Sequence, residues 1–190
     1  VGKSSIGNAL LNARRLLVSD VPGTTRDAIE LDLDYDVPGK PQRWPFRLID
    51  TAGLRQKRRV SNPVEYFSTI RTQSAIERSD VVFLVVDAMD GITRQDQRLA
   101  GEIVESGKPV IILVNKWDYA LDRFKTDPIS GYESEAAFKK SYRQAVEREL
   151  FFLPDSPILF VSATRGLALD KILGEAKAMV ERMDREIPTS

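Results

Sequence analysis

Near the start of the chain, Ile6, Ala9, Leu10 and Ala13 recur at the spacing of one helix face and predict an amphipathic helix ending near residues 12–14. A different period takes over in "IELDLDYDV", residues 29–37, where Ile, Leu, Leu, Tyr and Val alternate with Glu30, Asp32, Asp34 and Asp36. Alternation of this kind marks a half-exposed strand, antiparallel and near a sheet edge. "VPGKPQRWP" reads as a connecting turn and "FRLID" as a second strand that delivers Asp50 at its C-terminal end. "SNPVEYF" supplies Asn62 as a helix N-cap, Pro63 at the first helical position and Glu65 at the third, for a helix reaching about Arg78.

Three later segments, "DVVFLVVD", "KPVIILVN" and "SPILFVS", are short and continuously apolar, as parallel strands covered on both faces must be. Helical patterns lie between and after them: one following Thr93, one over about residues 134–150 and one over about residues 167–183. Residues 121–133 read as a polar insertion loop. Strand and helix in this alternation predict a doubly wound α/β domain. Ligands bind such sheets at the C-terminal strand ends, where Asp50, Asn115 and Ser162 stand.

Composition narrows the chemistry. At 190 residues the chain suits one domain with a core of its own. Its 28 basic and 28 acidic side chains cancel, so any contact with nucleic acid is local and not driven by overall charge. With no cysteine and no histidine, thiolate, disulfide and imidazole chemistry are excluded. The longest apolar run, "VVFLVV", is far below the roughly 20 residues of a membrane-spanning helix, and a cytoplasmic protein without membrane contact is expected.

What remains is carboxylate, lysine, arginine, hydroxyl, backbone and bound-metal chemistry, and five short motifs supply it. "VGKSS", with Gly2, Lys3, Ser4 and Ser5, is the tail of a phosphate-binding loop that opens a helix. "DTAG" ends the "FRLID" strand: Asp50 can hold magnesium through its water shell, and Gly53 lets a backbone N–H approach a terminal phosphate oxygen. In "NKWD", the carboxylate of Asp118 can accept from N1–H and the exocyclic amine of guanine, donors that adenine lacks. Asn115 would brace the neighbouring loops and the stem of Lys116 would lie along the ring, while Trp117 reads as packing. Ser162 and Ala163 would add a backbone N–H to the guanine oxygen, and Thr25, in "PGTT", could bring a hydroxyl to magnesium. Chance occurrence of "DTAG" and "NKxD" at strand ends, in this order after "GKS", is rarer than about one in ten thousand.

These motifs resemble those of P-loop GTPases of the translation-factor-like class. More narrowly, "SDVPGTTRDAIELDLDYD", "LIDTAGLRQK", "FSTIRTQSAIERSDVVFLVVDAMDGITRQDQRLA" and "VNKWD" resemble the second GTPase domain of the Der, or EngA, family of tandem-domain GTPases. The resemblance implies a three-layer P-loop NTPase fold, with a mostly parallel sheet, one antiparallel edge strand and helices on both faces. It implies a single GTPase domain over residues 1–190, with the first strand and first half of the phosphate loop lying upstream, and with a second GTPase domain and a KH-like domain elsewhere in the full protein.

It also implies GTP and GDP as ligands and a role in assembly of the large ribosomal subunit, through contact with that subunit or its rRNA. In that scheme Lys3, Thr25 and Gly53 serve hydrolysis. Ser4 and Thr25 ligate Mg2+, which Asp50 steadies through water, and K+ is a candidate second cation. Leu54 stands where many GTPases carry a glutamine that orients water, so slow intrinsic turnover is expected. A docking module with little hydrolysis and an ATPase are the alternatives. The cationic "RQKRR", residues 55–59, is either a solvated loop or a contact for rRNA or a neighbouring domain.

Overall fold

The computed structural model describes residues 2–13, 30–39, 41–49, 65–126 and 132–185. Its elements in chain order are α1 (Lys3–Ala13), β1 (Leu31–Asp36), β2 (Arg43–Leu48), α2 (Glu65–Arg78), β3 (Val82–Asp87), α3 (Arg94–Glu105), β4 (Val110–Asn115), α4 (Trp117–Thr126), α5 (Glu135–Glu149), β5 (Ile158–Phe160) and α6 (Leu169–Arg185).

β3, β4 and β5 form a parallel sheet with β4 in the middle, every residue of which is buried. Side chains alternate across the sheet, so each strand feeds two cores. Leu84, Val86, Ile112 and Val114 pack with residues of α2 to α5 on one side, whereas Val85, Ile111 and Leu113 pack with α1 and α6 on the other. This is the three-layer α/β arrangement that the apolar runs predict. Thr93 starts α3 with reciprocal caps: its hydroxyl accepts from Asp96 N–H at 3.2 Å, and Asp96 Oδ2 accepts from Thr93 N–H at 2.9 Å.

β1 and β2 pair antiparallel from Leu31 opposite Leu48 to Asp36 opposite Arg43, with Leu31, Leu33 and Tyr35 facing inward. They form a sheet of their own. Between it and the parallel sheet lies a groove of about 1150 Å3 with an apolar lining that includes Ile6, Leu10, Leu33, Phe46, Leu48 and Phe83.

Two segments depart from the sequence reading. Arg43, Trp44 and Pro45 belong to strand β2 and not to the preceding turn. A proline is tolerated there because Pro45, opposite Asp34, falls at a non-hydrogen-bonded position of the antiparallel pair and owes β1 no donor. Likewise, residues 121–126 continue helix α4, since Trp117, Ala120 and Phe124 at helical spacing are all buried. Asp50, the loop 19–27 and the N-cap at Asn62 lie outside the described residues.

Candidate functional site

The C-terminal ends of β3, β4 and β5 converge on one rim. Ala88 N–H donates to Asn115 O at 2.8 Å, and Val161 N–H donates to Val114 O at 2.9 Å. Trp117 N–H, at the start of α4, donates to Val161 O at 3.1 Å. These bonds tie the "NKWD" segment to both neighbouring strands. The turn into α4 is tight enough to place Lys116 at φ 62, a left-handed conformation unusual for a residue with a side chain.

Asn115 is buried and reaches two ways. Its Oδ1 accepts from Ala163 N–H at 3.3 Å. Its Nδ2 lies against Gly2, so close that a β-carbon on Gly2 would sit 2.5 Å away. Gly2 has φ +82 and its carbonyl accepts from Ile6 N–H at 3.0 Å, the first turn of α1. One amide side chain therefore joins the start of α1, the end of β4 and the "SA" segment.

Around that junction lies a pocket of about 300 Å3. Gly2 and Ser5 line it from α1, Asn115 and Lys116 from the end of β4, and Ala163 and Thr164 from beyond β5. Met89 and Tyr119, both exposed, complete the wall. Lys3 and Ser4 line the larger groove instead. Ser162 is fully buried behind the rim, where its hydroxyl accepts from Arg165 N–H at 3.1 Å.

Asp118 occupies the first turn of α4 with its side chain 5% exposed. Thr164 Oγ1 and Arg165 Nε both approach its Oδ2 at 3.4 Å. Its Oδ1 is buried and has no hydrogen-bond partner among the described residues. The guanidinium of Arg165 is shared with Asp122, which pushes its pKa above the ordinary arginine value. A buried acceptor with one oxygen free is equipped to take a donor from a ligand.

Beside Lys116 stands Asp87, a residue the motif reading passed over. Lys116 Nζ is 2.5 Å from Asp87 Oδ2, and Met89 N–H donates to Asp87 Oδ1 at 3.0 Å. Burial works to raise the Asp87 pKa, but the hydrogen bonds from Lys116 and Met89, with the ammonium charge, hold it below the usual carboxylate value. The Lys116 pKa is raised, chiefly by its bond to Asp87. The available signal was register: Asp87 pairs with Asn115 across parallel strands. Met89, Tyr119 and Thr164 carry no motif signature and emerge only from the folded pocket.

Behind the rim, Trp117 is 2% exposed and packs against Phe138, Tyr142 and Phe160 at ring-centroid distances of 5.4, 5.2 and 4.4 Å. Its expected packing role is what the structure contains. Thr25, Asp50, Gly53 and Leu54 lie outside the described residues. Among the described residues no helix is long and apolar enough to cross a membrane.

The profile of the family described as "50S ribosome-binding GTPase" matches residues 1–116. The chain belongs to that family, a family of GTPases. Along its whole length it is similar to GTPase Der of Desulforudis audaxviator, at 44% identity over 190 residues. It covers 100% of this chain but only 39% of that relative, so the chain spans about two-fifths of the relative's length. Among solved structures, elongation factor SelB from Methanococcus maripaludis, in complex with a GTP analogue, superposes with TM-score 0.60 over 95% of this chain and 31% of its own, at 17% identity. A variant of Aquifex aeolicus Era bound to GDP and aluminium fluoride gives TM-score 0.54 over 100% of this chain and 54% of its own, at 21% identity. At these identities the structural likeness establishes the P-loop GTPase fold alone.

Proposed function

We propose that this domain binds GTP, hydrolyses it to GDP and phosphate, and serves as a switch in assembly of the large ribosomal subunit in the cytoplasm. The observation that carries the reading is the buried Oδ1 of Asp118, which has no partner among the described residues. Leaving a buried acceptor unsatisfied costs about 1–3 kcal/mol. Guanine brings two donors to such a carboxylate and adenine brings none.

At the other end of the ligand, the opening turn of α1 presents unpaired N–H groups to an anion. Lys3 neutralises β- and γ-phosphate oxygens, and Gly53 N–H meets the γ-phosphate. Ser4 and Thr25 would ligate Mg2+, with Asp50 holding it through water; when bound, that ion neutralises charge developing on the phosphate oxygens. Ser4 is half-buried beside Lys3 in the first turn of α1, and among the described residues no group of three acidic side chains could hold a metal by itself. That donor set suits a hard cation held by hydroxyls and the substrate's own phosphates. Contacts of Thr25 and Gly53 with the γ-phosphate are lost on hydrolysis, which supplies the switch.

A second reading, a docking module with little hydrolysis, is favoured by Leu54, because an apolar side chain cannot orient water. Hydrolysis by the full-length protein that is slow in sodium and faster in potassium supports the enzyme; no turnover in either supports the module.

The same reading extends to organisation. The domain is one part of a longer protein that also holds a further GTPase domain and a KH-like domain, and the groove between β2 and β3 receives a strand from upstream of Gly2. The apolar groove lining and the 39% coverage of the relative support this. Contact with the large subunit or its rRNA runs through the full-length protein.

Asp118→Asn tests the central assignment. It offers an amide N–H2 where guanine needs acceptors, so GTP affinity should collapse and xanthosine triphosphate, with an acceptor at C2, should gain. An undiminished preference for GTP would overturn the assignment.

A further inference from the structure

Lys116 forms one wall of the pocket, yet its flexible four-carbon stem carries rotamer entropy and would not hold one position unaided. Its side chain is 42% exposed, whereas that of Asp87, to which it points, is 3% exposed. A carboxylate that deeply buried is a fixed anchor. Asp87 terminates β3, its carbonyl accepts from Gly91 N–H at 3.0 Å, and its register partner is Asn115. Its two carboxylate oxygens serve opposite sides of the loop, Oδ2 facing the Lys116 ammonium at 2.5 Å and Oδ1 accepting from Met89 N–H at 3.0 Å.

Both residues so held are pocket-lining residues. We propose that Asp87 is a positioning residue of the nucleotide site: by anchoring the Lys116 ammonium and the Met89 backbone, it presets two walls of the base pocket before ligand enters. The inference rests on the guanine-nucleotide reading above. It adds that the order of the base pocket is set from the end of β3, by a residue that touches no ligand. Because Lys116 and Met89 lie at the base end and not at the phosphates, Asp87 governs affinity and leaves the hydrolytic step alone.

The test uses Asp87→Asn in the full-length protein. Asparagine retains an acceptor for Met89 N–H but turns a donor toward the ammonium, so it releases Lys116 selectively. GDP and GTP should both dissociate about tenfold faster, and KM should rise while kcat at saturating GTP stays unchanged. Lys116→Met keeps the stem and strands the buried Asp87 carboxylate, so it should lower both affinity and Tm. In the double variant Asp87→Asn/Lys116→Met, Tm should recover while affinity falls no further than in Lys116→Met alone, because Asp87 acts through Lys116.

Unchanged affinity in Asp87→Asn, a loss of kcat at saturation, or additive affinity losses in the double variant would each overturn the proposal. Absence of guanine preference in the unaltered protein would instead overturn the reading on which it rests.

Discussion

Asn115 Nδ2 occupies the space in which a β-carbon on Gly2 would lie, at a separation of 2.5 Å. The proposed phosphate and base ends of the site therefore meet at a residue that has no side chain. Gly2→Ala would have to displace Asn115, which is anchored to Ala163 N–H, and would also place alanine at φ +82. Strain of that kind costs about 1–3 kcal/mol. GDP affinity, measured by titration of the full-length protein, should fall at least about tenfold, with Gly2→Ala and Asn115→Ala less than additive because both open the same contact.

A second close approach sets the packing of α6 on β1. A β-carbon at Gly174 would lie 2.8 Å from Tyr35 Oη and 3.6 Å from its ring. Alanine is favoured over glycine in a helix by about 1 kcal/mol, but overpacking costs about 1–3 kcal/mol. Gly174→Ala should therefore be neutral to destabilising, and addition of Tyr35→Phe, which removes the clashing oxygen, should restore stability in denaturant melts.

Trp117 couples the proposed base-recognition segment to the core. It stacks on Phe138 at an interplanar angle of 12° and stands next to both Lys116 and Asp118. Trp117→Ala should cost about 3–5 kcal/mol as a buried aromatic truncation. Trp117→Phe should cost less and weaken nucleotide binding only through the start of α4. Thermal melts and GDP titration of the two variants separate the effects.

Tyr142 gives a pH signature. Its O–H donates to Ala88 O at 3.0 Å, and burial, with the charges of Asp87 and Asp90, pushes its pKa up from 10.0 to about 12. A group whose folded pKa is raised holds its contribution below the unfolded value and loses it as pH rises toward the folded one. Stability should be intact to about pH 10 and decline between about 10 and 12, and the part due to this phenol should vanish in Tyr142→Phe. Asp87 and Lys116 are shifted away from neutrality in opposite directions, so their ion pair should leave nucleotide affinity flat across the neutral range.

Much of this architecture is legible in the chain because its signals are local and strong. The runs at β3, β4 and β5 are too apolar to be anything but covered strands, and the alternation of β1 announces one solvated face. Pro45 misled because proline reads as a turn unless its place in the pairing register with β1 is known, and that is a tertiary fact. The end of α4 was hidden by polar residues around Phe124, whose burial depends on its stacking with Phe138, at 4.9 Å, from another helix. Asn115 and Asp118 were marked by their motif. Asp87 was not, since its importance arises from register with Asn115 and from burial, neither of which composition carries.

Selection of guanine rests on Asp118 Oδ1, which has no partner among the described residues, and a series of bases tests it directly. With magnesium present, titration of the full-length protein with GTP, inosine triphosphate and ATP should rank affinity in that order. Inosine retains N1–H but lacks the amine at C2, and adenine lacks both the C2 amine and N1–H. Equal affinity for all three nucleotides would contradict the account.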